Sequence, residues 1–123
     1  MRRLFDGIAD LAVPAIHFGV GTSELLELMR EAGGDAIGVD HRISLDRAWE
    51  RLGPSTAIQG NLDPTVLLAP WDVVEREALD VLDRAGGRSG HVFNLGHGVL
   101  PDTPVENLQR LVDLVHARSE RDG

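Results

Sequence analysis

Apolar positions recur along this chain in two rhythms, one helical and one extended, and their alternation predicts helices and strands in turn. Leu4, Phe5, Ile8, Leu11 and Ala12 fall at helical spacing, which would bury one stripe and leave Arg3, Asp6 and Asp10 in water. Pro14 closes that segment. Ala15-Ile16-His17-Phe18 is a short apolar run between Pro and Gly, the pattern of a buried strand. Thr22 or Ser23 is placed to cap the next helix, with Glu24 and Glu27 in its first turn where the helix dipole favours carboxylates. Leu25, Leu26, Met29 and Ala32 form its stripe, and Gly33-Gly34 ends it.

The same grammar repeats. Ala36-Ile37-Gly38-Val39 reads as a strand, Ser44 caps a helix carrying Leu45, Ala48, Trp49 and Leu52, and Gly53-Pro54 stops it. Thr56-Ala57-Ile58-Gln59 is a third strand, followed by helix from about Thr65 to Ala85 with a break near Pro70 and an end at Gly86-Gly87. His91-Val92-Phe93-Asn94-Leu95 is a fourth strand. Thr103-Pro104-Val105-Glu106 then forms a capping box, and Val105, Leu108, Leu111, Val112 and Val115 face the core. The tail from Arg118 to Gly123 is expected to fray. Strands each followed by a helix imply parallel strands joined by right-handed crossovers, an α/β fold.

Composition narrows the chemistry more than the fold. All twelve basic residues are arginine, and Lys and Cys are absent. That excludes a lysine Schiff base, a P-loop lysine, a thiolate nucleophile, a disulfide and a cysteine zinc site. Twenty acidic residues give a net charge of -8, the wrong sign for a nucleic-acid partner, which selects a basic stripe. No apolar run approaches the roughly 20 residues that span a bilayer, so neither nucleic acid nor membrane is an expected partner, and a soluble cytoplasmic protein is the expectation. A chain of 123 residues suits one core and a single domain over 1–123.

Polar and glycine-rich segments collect just after the strands: Gly19-Val20-Gly21-Thr22, Asp40-His41-Arg42, Gly60-Asn61-Leu62-Asp63-Pro64 and Gly96-His97-Gly98. Those are the carboxyl ends of parallel strands, where open α/β sheets and barrels bind ligands. Gly19-x-Gly21 lacks the third glycine of a dinucleotide fingerprint and reads as a tight turn. Asp40-His41-Arg42 reads equally as a ligand cluster or as a solvated loop in which Asp40 receives backbone N–H groups. Asp63 reads as the cap of a helix beginning at Pro64. His97 stands apart, because its flanking glycines leave the imidazole with little steric cover. His17 is expected in the core or lining a barrel, and His91 and His116 are structural or solvated. His41, Asp63 and His97 come from three loops that spacing alone does not bring together, so no metal site is assigned.

Taken in order, Ile16-His17-Phe18-Gly19-Val20-Gly21, Gly38-Val39-Asp40, Gln59-Gly60-Asn61-Leu62-Asp63-Pro64 and Asn94-Leu95-Gly96-His97-Gly98, ending in Pro101, resemble the carboxyl-terminal part of the uroporphyrinogen decarboxylases. The resemblance implies a (β/α)8 barrel, typically a homodimer. It also implies a cofactor-free carboxy-lyase that converts uroporphyrinogen III to coproporphyrinogen III in porphyrin and heme biosynthesis. A whole barrel needs at least about 200 residues, so four βα units look like its second half, about four strands and five helices. The family's amino-terminal Arg-rich loop, its cleft Asp, and its Tyr and Ser or Thr have no counterpart in this sequence. No catalytic residue therefore carries over, and the isolated chain is expected to be inactive. What carries over is the His of Gly-His-Gly, here His97, as a hydrogen-bonding partner of a substrate carboxylate. Gly96, Gly98, Arg42 and Asn61 are secondary candidates for the same wall. One position departs from the family pattern: after Gly-Val-Asp the family commonly has Trp, and this chain has His41.

The related cobalamin methyltransferases share the strand containing His17 but place a zinc-binding Cys where Gly19 stands, and a second Cys near the last strand. Without Cys that chemistry is closed to this chain. Two readings of different class follow: part of a uroporphyrinogen decarboxylase, acting on a polyanionic tetrapyrrole with a missing amino-terminal half or a second copy as partner, or a non-catalytic half-barrel that binds or assembles.

Overall fold

The computed structural model describes residues 1–119. Its elements run α1 (Arg2–Ile8), a 3-10 turn (Ala9–Leu11), β1 (Ile16–Phe18), a 3-10 turn (Ser23–Leu25), α2 (Leu26–Ala32), β2 (Ala36–Gly38) and α3 (Leu45–Leu52). They continue with β3 (Ala57–Leu62), a 3-10 turn (Pro64–Leu68), α4 (Trp71–Ala85), β4 (His91–Leu95) and α5 (Val105–Ser119). All three strand pairings are parallel and the spatial order is β1-β2-β3-β4, the order of the chain itself. A doubly wound sheet reverses direction at a switch point; this one does not. Unreversed right-handed crossovers put every helix on the same side, which makes the sheet an arc of a barrel.

Strand alternation divides the two faces. His17, Ile37, Ile58 and His91 share one register row. Ile37 and Ile58 on it are completely buried against the helices. The adjacent row holds Phe18, Gly38, Gln59 and Val92, and on that face Ile16, Phe18 and Val92 are 49, 42 and 46% exposed. β1 is therefore not the buried strand its sequence suggests, since only His17 of its three residues is covered. Its apolar partners would have to come from across the barrel.

The core lies between sheet and helices. α3 shows why it forms: Leu45, Ala48, Trp49 and Leu52 recur at helical spacing and all four are buried. Each large side chain so enclosed contributes roughly 1.5–3 kcal/mol. Trp49 satisfies its indole N–H on the Thr56 carbonyl at 2.8 Å, and the Arg88 guanidinium lies 3.9 Å over its ring. The expected break at Pro70 is present, separating the 3-10 turn that Asp63 caps from α4.

Five local expectations are corrected. No residue of α1 is buried, and of its stripe only Phe5 is partly covered, tilted against the His17 ring at 5.0 Å. On α5 only Leu111 is buried, while Val105 and Val112 remain exposed. The capping box is not made: the Thr103 hydroxyl is buried without a partner, and the first turn of α5 bonds to the Pro104 carbonyl. Neither Thr22 nor Ser23 caps α2, because Thr22 Oγ1 donates back to the Gly19 carbonyl at 2.6 Å and the chain takes a 3-10 turn first. Arg118 and Ser119, placed in a fraying tail, continue α5, and 120–123 lie outside the described residues.

Candidate functional site

The loops at the carboxyl ends of the strands are tied to one another in sequence. Asp40, at the end of β2, is buried and accepts from the Gly21 amide at 2.6 Å, the Arg42 amide at 3.0 Å and the Arg42 guanidinium at 2.8 Å. Burial alone would raise its carboxyl pKa, but these donors outweigh it and hold the carboxyl below the usual carboxylate value. Of the two readings left open for Asp40, this is the one in which its carboxylate receives backbone N–H groups, with Asp40 itself buried at the base of a partly exposed loop. It also uses the Gly21 amide that a phosphate would need. Asn61 carries the tie onward: its side-chain N–H groups donate to the carbonyls of Asp40 and Ile43. The sequence reading placed Asn61 in a turn, whereas β3 runs through Gly60 and Asn61 to Leu62. The next tie joins the Gly96 amide to the Leu62 carbonyl at 2.7 Å.

Those ties bring together residues that spacing alone left apart. The His41 and His97 rings meet edge to face, centroids 5.4 Å apart at 65°. Gly96 has to be glycine for this approach: a Cβ there would stand 2.6 Å from the His41 amide nitrogen and 2.8 Å from its Nδ1. Asp63 accepts from the Thr65 amide at 2.9 Å and its hydroxyl at 2.7 Å, the cap read from the sequence. Burial pushes its pKa up, but the Thr65 donors and the fields of His41 and His97 bring it below the ordinary value.

His97 is half-buried, and its Nδ1 lies 2.9 Å from the Gly98 carbonyl. A carbonyl only accepts, so Nδ1 carries the proton there and Nε2 is the unprotonated nitrogen of the neutral ring. Beside it is a concavity of about 180 Å³ lined by Phe18, Gln59, Asn94 and Leu95, on the face that lacks an opposite wall. Pockets that enclose a small ligand measure roughly 300–1,000 Å³, and this concavity is smaller. Asn94, which also lines it, accepts at Oδ1 from the Leu95 amide at 2.8 Å.

Of the sequence-selected residues, His97 and Gly98 border the concavity. Gly96 sits behind them, buried against His41. Arg42 is 53% exposed and paired with Asp40, and Asn61 spends its amide on the loop ties. Gln59, Phe18 and Asn94 were not singled out by sequence reasoning. The signal was present in the two-residue period of the strands, which sets Phe18 and Gln59 in one row and Asn94 two residues beyond Val92. No group of three His, Asp or Glu residues that could hold a metal ion occurs among the described residues.

Residues 1–118 match the family described as uroporphyrinogen decarboxylase (URO-D). Among curated proteins, the uroporphyrinogen decarboxylase of Thermobifida fusca is 58% identical over 116 residues, covering 94% of this chain and 32% of that protein. That of Streptomyces coelicolor is 55% identical over 120 residues, covering 98% of this chain and 34% of the relative. The chain thus spans about a third of the length of the curated relatives it matches. Among solved structures, a methyltransferase from Methanosarcina mazei superposes with a TM-score of 0.79 at 25% identity, covering 94% of this chain and 34% of that one.

Proposed function

This chain belongs to the uroporphyrinogen decarboxylase family, and from that premise we propose that it forms the carboxyl-terminal wall of a cleft in which the acetate arms of uroporphyrinogen lose CO2. The observation that carries the reading is His97, held at the rim of an open concave wall with its Nδ1 proton committed to the Gly98 carbonyl. With Nδ1–H already given to Gly98, Nε2 becomes a donor when the ring takes a second proton, and an imidazolium pairs strongly with a carboxylate. Gln59 and Asn94 add neutral amide donors along the same wall. Loss of CO2 from an acetate on a pyrrole leaves an electron pair that needs a sink, and protonation of the ring carbon supplies one without a cofactor. Stabilising that cation falls, by resemblance, to acidic and arginine groups that this chain does not carry. The chain's share of the work is to bind and orient.

The same premise extends to a homodimeric enzyme of porphyrin and heme biosynthesis in the cytoplasm, a reading that rests on the family. The alternative, a non-catalytic half-barrel, draws on the exposed Ile16, Phe18 and Val92. Turnover decides between them. The chain alone should not decarboxylate uroporphyrinogen above the uncatalysed rate, and an amino-terminal half supplied in trans should restore activity; failure to do so with a folded, associated pair would favour the second reading. In the full-length protein carrying these residues, His97→Ala should weaken substrate binding by about 1–3 kcal/mol. Unchanged KM and kcat would assign His97 to structure.

A further inference from the structure

His41 stands where the resemblance leads one to expect Trp, and three observations bear on what it does there. Its Nδ1 is buried with no hydrogen-bond partner. Its ring makes the aromatic contact of His97, edge to face at 5.4 Å. The backbone of Gly96 is pressed against it so closely that no side chain fits between. The first of these fixes the chemistry of the ring. An N–H buried without an acceptor is a rarer and costlier arrangement than a bare acceptor, so Nδ1 is the unprotonated nitrogen and the proton sits on Nε2. In that tautomer His41 is a flat aromatic ring with one N–H, the same pattern of features as an indole. The charged groups around it are Asp40 and Arg42 on its own loop, Asp63 on the loop after β3, and Glu77, Asp80 and Arg84 of α4 along the neighbouring cleft.

The second and third observations give the ring a task. His97 lies between two glycines, its Nδ1 is bonded to the Gly98 carbonyl, and the His41 ring packs against its imidazole. A side chain left loose has to be ordered when a ligand arrives, and ordering it beforehand improves binding without touching the ligand. We propose that His41 is a positioning residue: fixed as its Nε2–H tautomer, it takes the place of an indole and holds the His97 imidazole ready for a substrate carboxylate. This rests on the role given to His97 above.

The test is made in the full-length protein carrying these residues, with uroporphyrinogen as the probe. His41→Gln should raise KM about three- to tenfold with kcat within about twofold, the effect of ordering one more side chain on binding. His41→Trp should return KM to within about threefold of the parent. Nitrogen NMR of the His41 ring supplies a readout separate from activity, and should show the neutral ring as the Nε2–H tautomer. If His97→Gln leaves KM unchanged, the carboxylate role of His97 falls and the role of His41 falls with it. If His97→Gln raises KM while His41→Gln does not, His41 alone is overturned. Should His41→Gln fail to fold, His41→Trp decides: a KM raised by the same margin as in His97→Gln overturns the proposal, as does a neutral His41 ring found as the Nδ1–H tautomer.

Discussion

Gly60 shows at single-residue scale how a missing side chain shapes the site. Its φ is +140°, and a Cβ would lie 2.6 Å from the Val39 carbonyl, so two strands close up only because the position is bare. Gly60→Ala should cost about 1–3 kcal/mol in urea unfolding, and an unmoved midpoint would mean the backbone relaxes at no cost. Gly98→Ala is the contrast: with open space around it, stability should stay within about 0.5 kcal/mol. His91 sets an acid limit on stability. Burial pushes its imidazole below the ordinary value, against the contact of Nε2 with the Gly60 carbonyl at 2.7 Å. Its folded pKa is therefore below the unfolded one, the unfolded chain takes the proton first, and stability should fall as pH drops below about 6.5. Asp40, also lowered, adds a second loss as pH falls below its ordinary value of 3.8. Denaturant midpoints at pH 7.5, 5.5 and 3.5 should decline in that order, and His91→Gln should remove the first step while keeping the second.

Pairs of elements are joined by a few directed contacts, of which the fork between α2 and α3 is the clearest. Arg51 Nε donates to Glu27 Oε1 at 2.9 Å and its terminal nitrogen to Oε2 at 2.8 Å. The Arg51 hydrogen bond is the main reason the Glu27 carboxyl titrates at about 2 rather than 4.5. What it adds to stability is present above pH 4.5 and lost toward pH 2, and it is small, because the Glu27 side chain is 42% exposed and solvent screens the pair. Arg51→Lys loses the two-point geometry, so carbon NMR of the Glu27 carboxyl should show it titrating closer to its ordinary range. An unchanged titration would mean that a point charge suffices. At this scale the sequence was legible where an element is covered by a helix on either side. α3 packs on α2 and α4, and its four apolar positions were all read correctly. α1 and α5 were misread in burial, not in existence, since periodicity states which face is apolar and not whether anything covers it. Thr103 failed as a cap because the sequence cannot show which way a hydroxyl turns.

For the whole molecule, the arc leaves two strand edges open and an apolar concave face in water. β1 and β4 each have one paired side, and next to β4 a groove runs between Phe93, Leu95, Leu108, Val112 and Val115. Exposed edges and apolar surfaces of this kind template association, and a net charge of -8 slows it without satisfying strand hydrogen bonds. Sedimentation equilibrium at micromolar concentration should therefore show the 123-residue chain associating with itself or with an added amino-terminal half. A cooperatively folding monomer would contradict this. The position of the site was legible for a whole-molecule reason, because parallel strands place their carboxyl ends together whatever their sequences, which put His97 at the rim. The meeting of His41 with His97 was not legible, since it depends on how far successive loops lean toward each other. That lean is set by the ties from Gly21 to Asp40, from Asp40 to Asn61 and from Leu62 to Gly96, and they give the rim a property of its own. Four loops linked in series cannot open one at a time without releasing a neighbour, so the amides of Gly21, Arg42 and Gly96 should exchange with deuterium at a common rate, as one cooperative unit. A substitution at Gly21 would then be felt three loops away, at the imidazole of His97.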